Sequence, residues 1–194
     1  MTRNRLFSAA AAVLFAGTIL TASATPAQAQ GFRIEAHGGW DRVGNGTVRD
    51  DGILYGVGVG YDVAVGGGVL LGIEANADFG NLKECAGSVI AAGDELCVRV
   101  RRDLSAVGRI GYMVGPQSQI YALAGYTNGR FRADYRPAGG AVTRTSENLD
   151  GLRLGAGFQQ NLGHGLYSKI EYRYSNYEAG TDRHQLIAGF GIAF

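Results

Sequence analysis

Apolar and polar residues alternate with a period of two through most of the chain beyond residue 31. The clearest run is 168–175, in which Ile170 and Tyr172 alternate with Glu171 and Arg173. Successive side chains of a β-strand point to opposite faces, so this pattern predicts strands whose two faces meet different surroundings. The chain is therefore predicted to be all-β.

Seven segments carry this alternation clearly. An eighth, 119–127, is ambiguous because every position from 120 to 124 is apolar or small, and it is assigned as a strand because its neighbours require a partner there. The eight predicted strands are 32–41, 55–64, 71–79, 103–112, 119–127, 152–159, 168–175 and 185–194.

The connections between these strands alternate in length. The short ones are rich in Gly or contain Pro116, which suits tight turns. Short turns at one rim and long loops at the other, with an even number of strands, are typical of an antiparallel up-and-down β-barrel that spans an outer membrane. Both chain ends are then expected at the short-turn, periplasmic rim. The short connections are 65–68, 115–118 and 162–165, and the long polar ones are 42–52, 80–97, 128–148 and 176–183.

The first 29 residues have the composition of a cleavable signal peptide. A basic start precedes an apolar stretch, 6–24, and Ala27 and Ala29 supply the small residues of a signal-peptidase site. We expect cleavage after Ala29, which leaves one barrel domain, 30–194. The alternative is an N-terminal membrane anchor, but the stretch is short and rich in Ala for a spanning helix.

Alternation does not say which face of the barrel points outward. A soluble exported lipocalin-like barrel keeps its apolar face inside, whereas a membrane barrel turns that face to the lipid. The polar face here combines Gly with charges of both signs, which suits the narrow interior of an eight-stranded barrel. We predict a lumen filled by paired charges, since an unpaired buried charge is costly. The residues assigned to this network are Arg33, Glu35, Asp62, Glu74, Asp78, Arg109, Arg153, Lys169, Glu171 and Arg173.

The apolar face is predicted to contact lipid and to carry an aromatic girdle. Aromatic rings near strand ends suit the membrane–water boundary, where one side of a ring is apolar and the other wet. The predicted girdle consists of Phe32, Trp40, Tyr55, Tyr61, Phe79, Tyr112 and Phe194. The residues expected to face lipid include Val57, Val59, Ile73 and Ile170.

Five short motifs indicate a family through their combined order and spacing, although none of them is specific alone. They are Gly31-Phe32 leading to Gly39-Trp40, Leu71-Gly72-Ile73-Glu74, Arg109-Ile110-Gly111-Tyr112, Gly155-Ala156-Gly157 and Glu171-Tyr172-Arg173-Tyr174. From residue 31 to residue 194 the chain resembles the small outer-membrane β-barrel family of Gram-negative bacteria, the opacity-like or porin-family proteins. The resemblance implies a place in the outer membrane, and it does not imply an open pore.

The resemblance also implies a C-terminal assembly signal. Gly189, Ile192 and Phe194 stand at its positions, while Ile187 departs from the usual polar first position. Such a signal implies insertion by the barrel-assembly machinery with the help of periplasmic chaperones. We expect a monomer.

No catalytic, cofactor or metal site is predicted. The acidic residues could be catalytic carboxylates, but their near-balance with basic residues favours ion pairing. His37, His164 and His184 show no metal-site spacing, and no Ser lies in a G-x-S-x-G elbow. The formal net charge of +1 gives no reason to expect nucleic-acid binding.

Cys85 and Cys97 are the only cysteines and lie in the second long connection. An exported chain meets an oxidising periplasm, so a disulfide between them is expected, with two free thiols as the alternative. A metal site would need C-x-x-C spacing and further ligands.

Two functions remain open on the sequence. The first is a structural or surface-interaction barrel that shows four loops to the outside and contacts outer-membrane lipid and lipopolysaccharide. Its third loop is basic, although a solvated basic loop with no partner is the more ordinary interpretation of such a loop. The second is a narrow channel for small solutes or an outer-membrane enzyme. The charged residues of that loop are Arg130, Arg132, Arg136 and Arg144, against Asp134 and Glu147.

Overall fold

The structure, a computed structural model, describes residues 31–45, 48–81 and 83–194. The predicted signal peptide, 1–29, lies outside these residues. No helix in the described part of the chain has the length and hydropathy needed to cross a membrane.

Antiparallel strands make up nearly all of the described chain. They alternate apolar and polar positions because one face of the sheet meets a polar interior and the other does not. The elements are β1 Gly31–Asn45, β2 Val48–Gly66, β3 Val69–Gly80, β4 Lys83–Gly87, β5 Glu95–Met113, β6 Ser118–Arg136, β7 Thr143–Gly163, β8 Leu166–Tyr177, a 3₁₀ turn Glu178–Gly180 and β9 Thr181–Ala193.

Eight of these strands close into a barrel. Each strand pairs with its neighbour, β1 pairs with β9, and β3 pairs directly with β5, so the ring has no open edge. Gly31 and Phe194 lie at the same rim, where the Phe194 N–H donates to the Phe32 carbonyl at 2.8 Å. The predicted eight-stranded up-and-down barrel is confirmed.

The ninth strand, β4, was not predicted and stands outside the ring. It pairs only with the first residues of β5, from Lys83↔Arg99 to Gly87↔Glu95, as a hairpin above the barrel wall. It forms because β5 rises well past the end of β3, and its exposed edge there accepts a short partner.

The long polar connections were predicted as loops, and three of them are largely strand. β1 and β2 remain paired up to Asn45↔Val48, and β6 and β7 up to Tyr135↔Thr143. Above the membrane both faces of a strand meet water, so the apolar alternation disappears while the backbone ladder continues. Loop boundaries drawn from the loss of alternation were therefore wrong at 42–52, 128–148 and 176–183, and the same holds for the β4 part of 80–97.

The ambiguous segment 119–127 lies within β6. Its alternation is blurred because Tyr121 and Leu123 point into the lumen, where they pack with Val107 of β5. An apolar cluster inside an otherwise polar interior removes the contrast that marks the other strands.

The outer face of the barrel is apolar and the inner face polar. Arg153, Glu171 and Arg173 are completely shielded. Val57, Val59, Ile73 and Ile170, the residues predicted to face lipid, are between 46% and 63% exposed. The lipocalin-like alternative, which needs an apolar interior, is therefore wrong.

Placing Arg on this outer face should destabilise the barrel in a membrane. Val59→Arg or Ile170→Arg near the midplane is expected to cost about 2–4 kcal/mol, because the charge must leave water for hydrocarbon. Unfolding in vesicles can be followed by fluorescence of Trp40, the one tryptophan. Ala141→Arg, in the exposed loop between β6 and β7, is the control. Equal stability of all three variants and the parent would contradict the outward assignment.

Candidate functional site

The barrel interior is a continuous network of buried charges. Within the described strands, seven carboxylates and six permanent cations point inward and are at most 6% exposed. The carboxylates are those of Glu35, Asp41, Asp62, Glu74, Asp78, Asp103 and Glu171, and the cations those of Arg33, Arg109, Arg153, Lys169, Arg173 and Arg183. All ten residues assigned to the lumen from the sequence lie in this network.

Arg33 organises the end of the network nearest the short turns. Its Nε donates to Asp62 at 2.9 Å and its Nη2 to Glu74 at 2.7 Å. Arg109 lies 3.7 Å from Asp62, donates to Gln159 at 2.8 Å and stacks 3.6 Å above the ring centre of Tyr121. Two guanidinium groups therefore share the Asp62–Glu74 pair of carboxylates.

Lys169 and Glu171 of β8 form the middle layer. Lys169 Nζ lies 2.5 Å from Glu35 and 3.2 Å from Glu171. Glu171 also accepts from the Tyr121 hydroxyl at 2.5 Å and from Arg173. Three donors from two strands thus converge on one carboxylate, which holds β6 and β8 together through the lumen.

Asp103 anchors the layer nearest the loops. It accepts from Arg153, from Arg183 at 2.7 Å and from the Tyr177 hydroxyl at 2.7 Å. Arg183 reaches across to Asp41 with two hydrogen bonds of 2.7 and 2.6 Å. Arg153 and Arg173 both contact Asp78, at 3.4 and 3.1 Å, and so join this layer to the middle one. The ion pairs therefore continue along the lumen from Arg33 to Arg183, past the apolar cluster on β5 and β6.

His37 completes the charge balance. Its Nε2 lies 2.6 Å from Asp78 and its Nδ1 3.3 Å from Glu35. Both ring nitrogens face carboxylate oxygens, so only the doubly protonated imidazolium can donate to both. With His37 charged, the cations equal the seven carboxylates in number.

Inward-facing glycines make room for these side chains. A Cβ on Gly60 would lie 2.7 Å from the guanidinium carbon of Arg33, and one on Gly56 would meet the Asp78 carboxylate. The Gly-Val alternation of β2, which superficially suggests a nucleotide fingerprint, is thus the complement of large charged groups on β1 and β3.

Sequence reasoning missed Asp41, Asp103 and Arg183 as network members. Asp41 and Asp103 already stood on the polar side of the alternation, so counting every charge on that side would have found them. Arg183 falls in the predicted connection 176–183, because β9 begins above the region of clear alternation.

The predicted girdle residues all lie on the outer face, in two levels. Tyr55 and Phe79 stack at 5.9 Å on the loop side of the barrel, at the same end as Trp40. Phe32 and Phe194 pack at 6.4 Å at the short-turn rim, the end to which Tyr61 and Tyr112 also belong. In the predicted C-terminal signal, Ile192 and Phe194 face outward and Gly189 faces the lumen against His37.

Cys85 and Cys97 form a disulfide across the β4–β5 hairpin. Glu95 lies near both sulfurs, but the oxidised pair offers no thiolate to a metal ion. The three histidines lie apart, in the lumen (His37), in the turn between β7 and β8 (His164) and on the outer face of β9 (His184).

The buried carboxylate of Asp94 shapes the tip of this hairpin. It accepts the N–H groups of Val89, Ile90 and Ala91 at 2.7–2.9 Å and the Tyr135 hydroxyl at 3.0 Å. Desolvation acts to raise the pKa of Asp94, but these donors outweigh it, so the pKa lies below its usual value. The ionised form therefore stabilises the tip.

Removing Glu171 should leave buried cations without their partner. Glu171→Ala is expected to cost roughly 3–5 kcal/mol of unfolding free energy if the site stays dry, and less if water enters. Urea unfolding in vesicles measures this, with Glu178→Ala in the exposed 3₁₀ turn as the control. An Ala variant at position 171 as stable as the control would show that the network does not hold the barrel together.

The hairpin tip should loosen at low pH. Because the folded pKa of Asp94 is lowered, its stabilisation is complete above the ordinary Asp pKa of about 3.9 and is lost as pH falls through the folded value. Hydrogen exchange of the Val89–Ala91 amides, relative to intrinsic rates, should rise in that range. Asp94→Asn should show the faster exchange already at neutral pH, and Glu147→Gln on exposed β7 should not. Unchanged protection in Asp94→Asn would contradict the assignment.

Two arginines of the predicted basic loop are ion-paired on the outer wall. Arg136 lies 3.5 Å from Glu95, and Arg144 lies 3.8 Å from Asp134. Arg130 and Arg132 instead lie on the strand extension of β6, beside arginines of β5. The basic character of this region thus belongs to the barrel wall rather than to a loop.

Comparison with solved structures finds barrels of the same fold. The attachment invasion locus protein Ail of Yersinia pestis matches with a TM-score of 0.58 and 17% identity over 85% of this chain and 99% of Ail. Neisserial surface protein A matches with a TM-score of 0.57 and 14% identity over 84% of this chain and 97% of that protein. No curated protein sequence matches the chain.

The family assignment comes from the sequence itself. A family model described as "Outer membrane protein beta-barrel domain" matches residues 9–194, nearly the whole chain. The match agrees with the closed ring of eight strands, the apolar outer wall and the charged lumen. The protein belongs to the outer membrane protein β-barrel domain family and is located in the outer membrane of a Gram-negative cell.

Proposed function

We propose that this protein is a non-conducting outer-membrane barrel with a structural and surface-interaction role. The observation that carries the proposal is the charge network that crosses the lumen from rim to rim. Eight strands enclose a bore that side chains nearly fill. Here the bore holds ion-paired Arg, Lys, Asp and Glu side chains, so a hydrated ion has no free path.

The network can block the lumen because ion pairs hold its charged side chains in fixed positions. Arg33, for example, contacts Asp62, Glu74 and Glu35 at 2.9, 2.7 and 3.5 Å. Moving it aside would remove one cation partner from each of three buried carboxylates and leave Arg109 and Lys169 as their remaining partners, which is unfavourable in a dry interior. The narrow-channel alternative therefore requires breaking several ion pairs at once.

The loop rim supports the surface role. β6 and β7 extend together as far as Arg136 and Thr143, and the disulfide-linked hairpin displays Val89 and Ile90, which are 47% and 76% exposed. Ail, which shares the fold, has been crystallised with the heparin analogue sucrose octasulfate. An anionic partner is therefore included among the ligands to be tested.

We extend the proposal to partners and to the absence of catalysis. Lipopolysaccharide and outer-membrane lipid contact the outer wall, and the barrel-assembly machinery and periplasmic chaperones handle the chain before insertion. The protein acts as a monomer and not as an enzyme. In support, most charged groups of the lumen are ion-paired with one another, which leaves little room for a substrate.

Planar-bilayer recording tests the plug. The refolded protein, shown to be folded by heat-modifiable gel migration, is expected to give little or no stable conductance. The double variant Arg33→Ala/Glu74→Ala removes a cation and its partner together, and it should conduct more than the parent. Stable, large open-state conductance from the parent would overturn the proposal in favour of a channel.

A further inference from the structure

Five arginines form a patch on the outer wall of β5 and β6. We call this set the arginine patch: Arg99, Arg101, Arg102, Arg130 and Arg132. Arg99 lies directly opposite Arg132, and Arg102 opposite Arg130, while a bulge between Val100 and Arg102 adds the extra residue Arg101. Like charges directly opposite each other destabilise a sheet, so folding gives no reason for this arrangement.

Few of the carboxylates that the structure describes lie near the patch. Among the described side chains only Arg99 of the five forms an ion pair, 3.6 Å from Asp134. The Nε atoms of Arg102 and Arg132 are shielded from water and have no hydrogen-bond acceptor. A shielded donor without an acceptor is costly, and an anion bound here would supply the missing acceptors.

The guanidinium groups surround a cavity open to the outside. Its volume is about 590 Å³, and its remaining lining includes Tyr55, Phe79 and Ser146. Tyr55 and Phe79 are the stacked aromatic pair of the loop-side girdle. Because girdle aromatics mark the membrane–water boundary, the patch lies at the level of lipid head groups in the outer leaflet.

An apolar groove lies on the same side of the barrel, below the patch. Its floor is formed by Ala75 of β3 and by Ala106 and Gly108 of β5, with Ile73 and Tyr61 beside it, and its volume is about 490 Å³. Ala106 follows Arg102 by four residues on one strand, about 13 Å at the usual rise. The groove therefore begins about 13 Å below the patch along β5 and continues toward Phe32 and Tyr61 at the short-turn level. Its upper end, at Ala106, is the part that an acyl chain of the outer leaflet reaches.

We propose that this side of the barrel binds one lipopolysaccharide molecule. The phosphates of its lipid moiety are held by Arg102, Arg130 and Arg132, and one of its acyl chains lies in the groove over Ala106 and Gly108. A guanidinium group can donate two parallel hydrogen bonds to one phosphate group. Arginines that lie opposite each other on neighbouring strands can therefore hold one phosphate from two sides. The inference deepens the proposed surface role and rests on it, but not on the plugged lumen.

The first experiment compares charge variants. Refolded protein in nanodiscs without lipopolysaccharide is titrated with purified lipopolysaccharide and with its dephosphorylated form. The triple variant Arg102→Gln/Arg130→Gln/Arg132→Gln should bind intact lipopolysaccharide at least about 10-fold more weakly, since several charge-assisted hydrogen bonds are lost. The control Arg136→Gln/Arg144→Gln, which removes two ion-paired arginines of the same rim, should bind like the parent. Dephosphorylation should weaken the parent and leave the triple variant almost unchanged.

The second experiment separates a lipid from a soluble anion. Gly108→Leu fills the groove with an apolar side chain that suits the lipid face. It should weaken binding of lipopolysaccharide and leave binding of sucrose octasulfate or inorganic phosphate unchanged. If Gly108→Leu has no effect, and the soluble polyanions bind as tightly as lipopolysaccharide, the patch serves a soluble anion and the lipid proposal is wrong.

The remaining outcomes are also decisive. Equal binding by the parent and the triple variant would overturn the proposal, and so would an equal loss in the control, because binding would then follow overall charge. Heat-modifiable migration must show that every variant is folded. Conductance is recorded on the same samples, so a conducting barrel that still binds lipopolysaccharide would refute the plug alone.

Discussion

Closure of the backbone hydrogen-bond ladder is the constraint on which the rest of this structure depends. Hydrocarbon offers no partner to a free N–H or C=O group, so a sheet can cross it only as a closed ring. Here closure requires the β1–β9 pairing between the two ends of the barrel and the direct β3–β5 pairing that leaves β4 outside. Once eight strands close, the bore is narrow, and its contents must fill it and satisfy one another.

The charge network fills the bore through many shared contacts rather than through any single strong ion pair. Most of its members contact two or three partners, as Glu171 does with Lys169, Arg173 and Tyr121. Charges so buried are not in themselves evidence of high stability, since their desolvation offsets much of their attraction. Their clear consequence is specificity: each strand must hold its register for its charge to meet partners on other strands, and slipping by one residue would turn those charges to the lipid.

The chemistry of the outer wall also changes along the barrel axis. Between the two aromatic levels it is apolar, and above Tyr55 and Phe79 it becomes densely basic on β5 and β6 but not around the whole rim. On the opposite side Arg42 is bonded to Asp51 at 2.6 Å and lies 4.7 Å above the Trp40 ring centre. The arginine patch is thus a local feature, and the groove beneath it gives one side of the barrel a chemistry that the others lack.

The sequence by itself determined the fold class, the inward and outward faces and ten of the charges in the lumen, because a two-residue period can be read wherever lipid and a polar interior lie on opposite sides of a strand. It could not show where strands end above the membrane, nor reveal β4, because the contrast vanishes where both faces meet water. Only the tertiary structure decided which charges pair, brought Arg183 to Asp41 and Asp103, and set Arg102 opposite Arg130. Those contacts join residues far apart in sequence, and they depend on strand register and ring closure, which no local pattern encodes.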